Sequence, residues 1–350
     1  MPQPAVPRRL QFSSRIVYIL DVLVCSKSER SVVGPGGWLE GGMIFTDADR
    51  FAGALLGCAV GDMVGAAWLS GELPDPRADA PRASGREACV SSDASGLALA
   101  LAETLVDSGG DFDLGAVATS FGRWMKRRDE ASGSLFVFDE ASEIACRRLY
   151  LGCHPRKSAV FSRSSGAATR AAPLGLLDRS MKSILKMAVL QARLTHRHPE
   201  ALAGAAAIAL AVNHAVEAVS FHPDAFLDDV ALPVEDIAPG LAAKISDLQR
   251  YLSEPLKVGF HLVGSSASSL DAVPAALLAF ARQPHSFESA VVEAVYAADS
   301  PVMIGAMVGS LSGALNGAAA VPRRWIELLG NPDGTELLAQ ALFKTAFGSL

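Results

Sequence analysis

Gly53, Gly57, Gly61 and Gly65 stand four residues apart in the run "RFAGALLGCAVGDMVGAAW". At helical spacing they share one face, with Ala54, Ala59 and Ala66 nearby. Each glycine costs a helix roughly 1 kcal/mol relative to alanine. A whole stripe therefore predicts a second helix crossing at backbone distance, where any larger side chain would hold the two apart. The same spacing packs helices in membranes, but Asp62 lies inside this segment, so a soluble helical core is the expectation. Asp62 is either a helix-terminal residue or a functional carboxylate held in a tight apolar neighbourhood.

The rest of the chain extends the helical reading. Aromatic residues make up only 7% of 350 residues while half are hydrophobic, a mixture suited to closely packed helices rather than to a strand-rich sandwich. Periodicity predicts helices over 96–106, 114–128, 140–151, 181–194, 199–219, 238–252, 273–281, 287–297 and 302–315, with two short ones from Pro322 and Gly334. Sustained strand alternation is not found. The expected fold is all-α, a single compact multi-helical domain over 43–350.

This domain opens at Met43, with Thr46 as helix cap and Asp49 at the capping-box position. Residues 1–42 read as a peripheral or disordered extension. Their apolar run from Ile16 to Cys25 is interrupted by Asp21 and is too short for a bilayer, and no small-x-small cleavage site follows. The polar stretch "GELPDPRADAPRASGREACV" is the largest expected loop.

A net charge of -6 supplies no general attraction to nucleic acid or anionic lipid, so no direct nucleic-acid binding and no membrane span are expected. Cys25, Cys58, Cys89, Cys146 and Cys153 are odd in number and lack Cys-x-x-Cys spacing. A reducing, cytoplasmic location follows from that reading, with isolated thiols and no structural zinc.

Five landmarks carry a family resemblance. "GALLGCAVGDMVGA" is followed in order by "SSDASGLALALAETL", "SSGAATRAAPLGLL", "LTHRHPEALAGAAAIAL" and "AADSPVMIGAMVGSLSGALNGAAAVPRRW". Together they resemble the ADP-ribosylglycohydrolase family, whose corresponding motifs are an opening G-D helix, S/T-D-D-T/S, G-N-G-S-x-M-R, T-H-x-H-P and G-G-D-T-D-T-I. The resemblance implies a helical domain with its cleft at helix ends and loops. It also implies hydrolysis of the glycosidic bond between ADP-ribose and a modified side chain, aided by two magnesium ions. Such a pair needs several converging oxygen ligands.

Carried over position by position, Ser92 and Asp93 match the first hydroxyl and carboxylate, Ala94 stands where the second Asp belongs, and Ser95 matches the next hydroxyl. A gapless match places Ser300, Pro301, Val302 and Met303 on D-T-D-T, with Asp299 one residue away. Ser164 and Ala167 replace Gly and Ser of G-N-G-S. In "GSSASSLDAVPAALLAF", Ser268 replaces a Tyr and Ala267 the Gly before it.

The expectation is a protein without the usual two-metal site, acting by binding an ADP-ribose-like molecule, a modified protein or another protein partner. Ser92, Ser95, Arg170, Ser268, Asp299 and Ser300 are the expected ligand contacts. No cofactor is expected. The alternative is a hydrolase with an altered or single Mg2+ site drawing on Ser92, Asp93 and Asp299. Without metal, Asp62 and Asp93 are the obvious carboxylate pair for glycosidic cleavage. Asp93 and Asp299 are equally readable as helix caps, and His196 and His198 as structural hydrogen-bonding groups.

Overall fold

The glycine stripe meets a second stripe. A computed structural model describes residues 47–71, 92–130, 139–177 and 180–348, all within the unit Phe45–Leu350. The expected 1–42 extension, the Thr46 cap and nearly all of the polar stretch after Gly71 lie outside the described residues.

The helices are α1 Asp47–Leu69, α2 Asp93–Asp107, α3 Leu114–Glu130, α4 Glu140–Tyr150, α5 Pro155–Ser158, α6 Gly166–Thr169, α7 Ala172–Leu177, α8 Met181–Ala192 and α9 Pro199–Glu217. They continue with α10 Pro223–Ala231, α11 Pro239–Ser246, α12 Leu256–Val263, α13 Ser269–Arg282, α14 Phe287–Ala297, α15 Pro301–Asn316, α16 Arg323–Ile326 and α17 Pro332–Phe347. Among the described residues there is no sheet, only the isolated bridges Val160–His196 and Ser164–Ser268.

Helices α1 and α15 run antiparallel with their backbones in contact. A Cβ placed on Gly53 would lie 2.2 Å from the Gly313 carbonyl oxygen, on Gly57 2.2 Å from that of Gly309, and on Gly61 2.0 Å from that of Gly305. Gly65 faces Pro301 and Val302 in the same way. The expected close crossing is therefore present, and α15 answers it with glycines at 305, 309 and 313. Around this pair, α9, α13 and α14 complete one continuous core.

Ala48–Leu69 and Pro199–Glu217 are long and apolar enough to cross a membrane. Most of each apolar window is buried by neighbouring helices, as befits core helices of a globular domain.

Several boundaries differ from the sequence reading. Helix α13 begins at Ser269, four residues before the predicted start, because the Ser268 side chain caps it and the helix runs on through Pro274. The C-terminal helix runs sixteen residues from Pro332 rather than being a short one from Gly334, capped by Asn331 with Pro332 at its first position. The predicted 238–252 helix is split, α11 passing into a 3-10 segment over Asp247–Tyr251. Helices α5, α6, α7, α10 and α12 lacked a long enough apolar repeat to be read.

Candidate functional site

One carboxylate of α1 organises the start of α2. The first amides of a helix have no intrahelical acceptor, and Asp62 supplies one from outside. Its Oδ2 accepts from the Ser92 amide at 3.0 Å, the Ser95 amide at 3.1 Å and the Ser95 hydroxyl. Ser92 is the N-cap, its hydroxyl accepting from the Ala94 amide at 3.1 Å. The other oxygen of Asp62, Oδ1, is buried without a hydrogen-bond partner. Burial pushes the Asp62 carboxyl above the ordinary 3.8, against the lowering pull of Ser95 and Ser92. One turn away, burial pushes the Cys58 thiol up to about 12, so it stays protonated and inert.

Asp93 is the first helical residue of α2, not its cap, and is 3% exposed. Its Oδ2 accepts the Asp139 amide at 3.2 Å, which joins α2 to a second polar cluster. There Asp139 caps α4 through the amide and hydroxyl of Ser142, while its Oδ1 accepts from the Ser164 hydroxyl at 2.6 Å. His196 Nε2 lies 2.9 Å from Ser164 Oγ and 3.3 Å from Asp139 Oδ2, and its Nδ1 lies 2.7 Å from Thr195 Oγ1. Burial alone would raise the Asp139 carboxyl. The hydrogen bond and charge of His196, with the hydroxyls of Ser142 and Ser164, outweigh it and hold the group well below the usual carboxylate range. Gly166 is required here, because a Cβ would lie 2.0 Å from Asp139 Oδ2.

Arg170, expected among the ligand contacts, is fully buried beneath this cluster. Its guanidinium donates to Gln191 at 2.8 Å, to the Ser142 hydroxyl and the Gly166 carbonyl at 3.0 Å, and to Thr195 Oγ1, while lying 5.0 Å over the Phe121 ring. So placed, Arg170 braces the cluster from behind. His198 caps α9 through the Glu200 amide at 3.3 Å, and its ring stands 5.1 Å from exposed Phe161.

The serine-rich loop 264–268 draws in the remaining expected residues. Ser165 donates its amide to the Ala267 carbonyl at 2.9 Å, and Ser269 donates to that of Arg163 at 2.8 Å, so Ser164 and Ser268 lie side by side. At the other end of the loop, the Ser265 hydroxyl donates to Asp299 Oδ2 at 2.9 Å and accepts the Asp299 amide at 3.0 Å. Ser300 donates its amide to the Ser265 carbonyl at 3.0 Å. Asp299 is exposed and does not cap α15, nor does the Ser300 side chain, although Ser300 is the N-cap residue. Ser266 and Lys244 both bond Asp271 at 2.7 Å and fix the loop onto α13.

A single chain of contacts thus runs from Asp62, Ser92 and Ser95 through Asp93, Asp139 and Ser164 to Ser268, Ser265, Asp299 and Ser300. Asp139 was missed in the sequence. Its signal was the pattern of an N-cap Asp with Ser142 three residues on, which reports a helix start and nothing about a site.

Opposite these polar groups, Ala94 and Ala98 of α2 pack with Cys58 of α1 and with Met303 and Ala306 of α15 in one small buried apolar cluster. Pro301 and Val302 are buried too. No group of three or more His, Cys, Asp or Glu with metal-holding geometry occurs among the described residues.

Comparison with known proteins gives a consistent result. A family model described as ADP-ribosylglycohydrolase matches residues 45–349. An uncharacterized protein of Archaeoglobus fulgidus is 30% identical over 311 residues, covering 85% of this chain and 96% of its own length. The ADP-ribosylhydrolase ARH3 of Mus musculus is 26% identical, with 84% and 91% covered. A solved structure titled ADP-ribosylglycohydrolase-related protein complex superposes with a TM-score of 0.66 at 27% identity, over 86% of this chain and 99% of that one. With the helical architecture and the landmark segments in order, these matches establish that the chain belongs to the ADP-ribosylglycohydrolase family.

Proposed function

We propose that this protein recognises an ADP-ribose-like group, free or attached to a protein, without the two-metal hydrolysis for which its family is built. The observation that carries this reading is the apolar cluster of Cys58, Ala94, Ala98, Met303 and Ala306. Ala94 and Met303 stand where the family resemblance puts oxygen side chains, and here the two positions pack in the same cluster. Two magnesium ions demand roughly six oxygens each at near-octahedral angles. The oxygens offered are the unpartnered Asp62 Oδ1, the carboxylate of Asp93, the Ser92 hydroxyl and, from an exposed position tied to Ser265, Asp299. This set does not fit a dinuclear site.

The groups that remain suit binding. The half-buried Ser162, Ser164, Ser266 and Ser268 line the paired 162–165 and 266–269 segments above buried His196, and their hydroxyls, held by Asp139, Asp271, one another and the Leu270 amide, keep lone pairs that can still accept. Neutral donors and acceptors of this kind match ribose hydroxyls and phosphate oxygens.

A second reading has its own observation. Asp62 and Asp93, both buried and close to the start of α2, leave one orphaned carboxylate oxygen that a single ion or a water would satisfy. The deciding experiment incubates the protein with ADP-ribosylated arginine, ADP-ribosylated serine, O-acetyl-ADP-ribose and ADP-ribose, with magnesium and then with chelator, following release and binding together. Binding without turnover is expected. Rapid magnesium-dependent turnover abolished by Asp93→Ala would establish the second reading instead.

A further inference from the structure

Charge is distributed unevenly along this chain. Between Arg147 and Pro199 the sequence holds eleven Lys or Arg and a single acidic residue, Asp178, in a protein of net charge -6. Four of these cations are occupied internally, among them Arg163, whose Nε lies 3.7 Å from Glu200 Oε2. Arg170 is buried, Arg147 pairs with Asp129 and Glu143, and Arg148 donates to the Ser158 carbonyl at 3.0 Å.

Others lie along α8 and on the segments joined to its C-terminal end. Lys182, Lys186 and Arg193 recur at four and seven residues along α8 and its C-cap, and so share a helix face. Beyond the C-cap the guanidinium of Arg197 reaches the Arg156 carbonyl at 3.5 Å. The Ser158 hydroxyl donates to the Leu194 carbonyl at 2.7 Å, which pins α5, with Arg156 and Lys157, against the end of α8. Arg156, Lys157, Lys182 and Arg197 are exposed, and none is ion-paired with a described carboxylate. This face adjoins the polar cluster around His196, because the Arg197 amide donates to the Val160 carbonyl at 2.9 Å where Val160 pairs with His196.

We propose that this face docks an acidic peptide segment of a partner protein alongside the His196 cluster. The inference rests on charge complementarity and on continuity with the His196 cluster, and it stands whether or not the protein binds ADP-ribose. A peptide is favoured over a nucleic acid by the charge of the remainder. Screening confines the patch's attraction to about 8 Å at physiological salt. A short acidic segment feels only the cations, while a long polyanion also meets the acidic rest of the molecule. Among the described residues near the patch, Phe161 and Tyr150 are exposed aromatics on separate segments, not the continuous row of stacking side chains that single strands use.

The test is fluorescence anisotropy on the full chain with a labelled peptide of alternating Asp, Glu and Ser. Its Asn/Gln counterpart and a single-stranded DNA of equal length are the comparators. The acidic peptide should bind at low salt and weaken as salt rises. The variant R156E/K157E/K182E should bind about tenfold or more weakly at an unchanged melting temperature. Reversal of exposed Lys257, on α12, should leave binding as it was. Absence of peptide binding, equal binding by the triple variant, or tighter binding of the DNA than of the acidic peptide would each overturn the proposal. An ADP-ribose titration of the triple variant reports on the proposed ADP-ribose recognition separately.

Discussion

Asp62 caps the helix that Ser92 begins, although thirty positions separate them: its Oδ2 lies 3.0 Å from the Ser92 amide and also receives both donors of Ser95. Asp62→Ala strands three buried donors at once, and a loss of about 3 kcal/mol is expected. Asp62→Asn retains one accepting oxygen and places its amide where Oδ1 has no partner, so it should cost about half as much. Urea unfolding of the two variants checks this. Equal loss in both would mean that the negative charge, rather than the acceptor, holds the helix start.

The backbone contact between α1 and α15 predicts an inverted response to a helix-favouring substitution. Gly61→Ala should add up to about 1 kcal/mol of helix propensity in isolation. In the protein the new methyl would lie 2.0 Å from the Gly305 carbonyl oxygen, with backbone on both sides and nothing flexible to give way. Overpacking of this kind costs about 1–3 kcal/mol or more, so the net effect is destabilising. Gly240→Ala, at a helical position where nothing lies within 4 Å, should be neutral or mildly stabilising in the same thermal melt.

Two buried carboxyls give opposite pH signatures. Asp139 is held below 3.8, so its contribution to stability is fully present above that value and is lost as pH falls through its lower folded value. Asp62 is raised above 3.8, so its contribution to folding is fully present below 3.8 and is lost as pH rises through the raised value. Asp139→Asn should therefore lower the melting temperature at neutral pH and flatten its decline below pH 3.8. Asp62→Asn should leave the acid limb alone and change the slope above it. Melting temperatures of the three proteins across that range decide the matter, and a wild-type acid limb in Asp139→Asn would refute the assignment.

The helical fold was legible because its strongest constraint, the glycine stripe, is periodic and local. The matching stripe at Gly305, Gly309 and Gly313 repeats it in the partner helix. The site was legible in pieces. Ser92, Asp93, Ser268 and Asp299 stand out by their places in the landmark segments, and the structure links them through contacts distant in sequence. What escaped was role. Asp93 and Asp299 looked like caps, but capping falls to Ser92 and Asp62 at one helix, while at the other neither side chain caps. Arg170 looked like a ligand contact, and its complete burial under Ser142, Gln191 and Thr195 is set by α4, α8 and the turn that follows α8, which no local pattern connects.

The last prediction puts the oxygens back. Ala94→Asp places a carboxylate in a cluster formed by Cys58, Ala98, Met303 and Ala306, where an unpaired buried charge costs several kcal/mol. The single variant should therefore melt well below wild type. Adding Val302→Asp and Met303→Thr supplies the facing side of a cation site, since both positions lie at the first turn of α15. In that triple variant magnesium should raise the melting temperature and give a saturable calorimetric signal, because an ion that binds only the folded state stabilises it by mass action. Wild type should respond to neither. A wild-type stabilisation by magnesium as large as that of the triple variant would mean that Asp62, Asp93 and the nearby serines already suffice to hold the ion, and that the apolar cluster never displaced it.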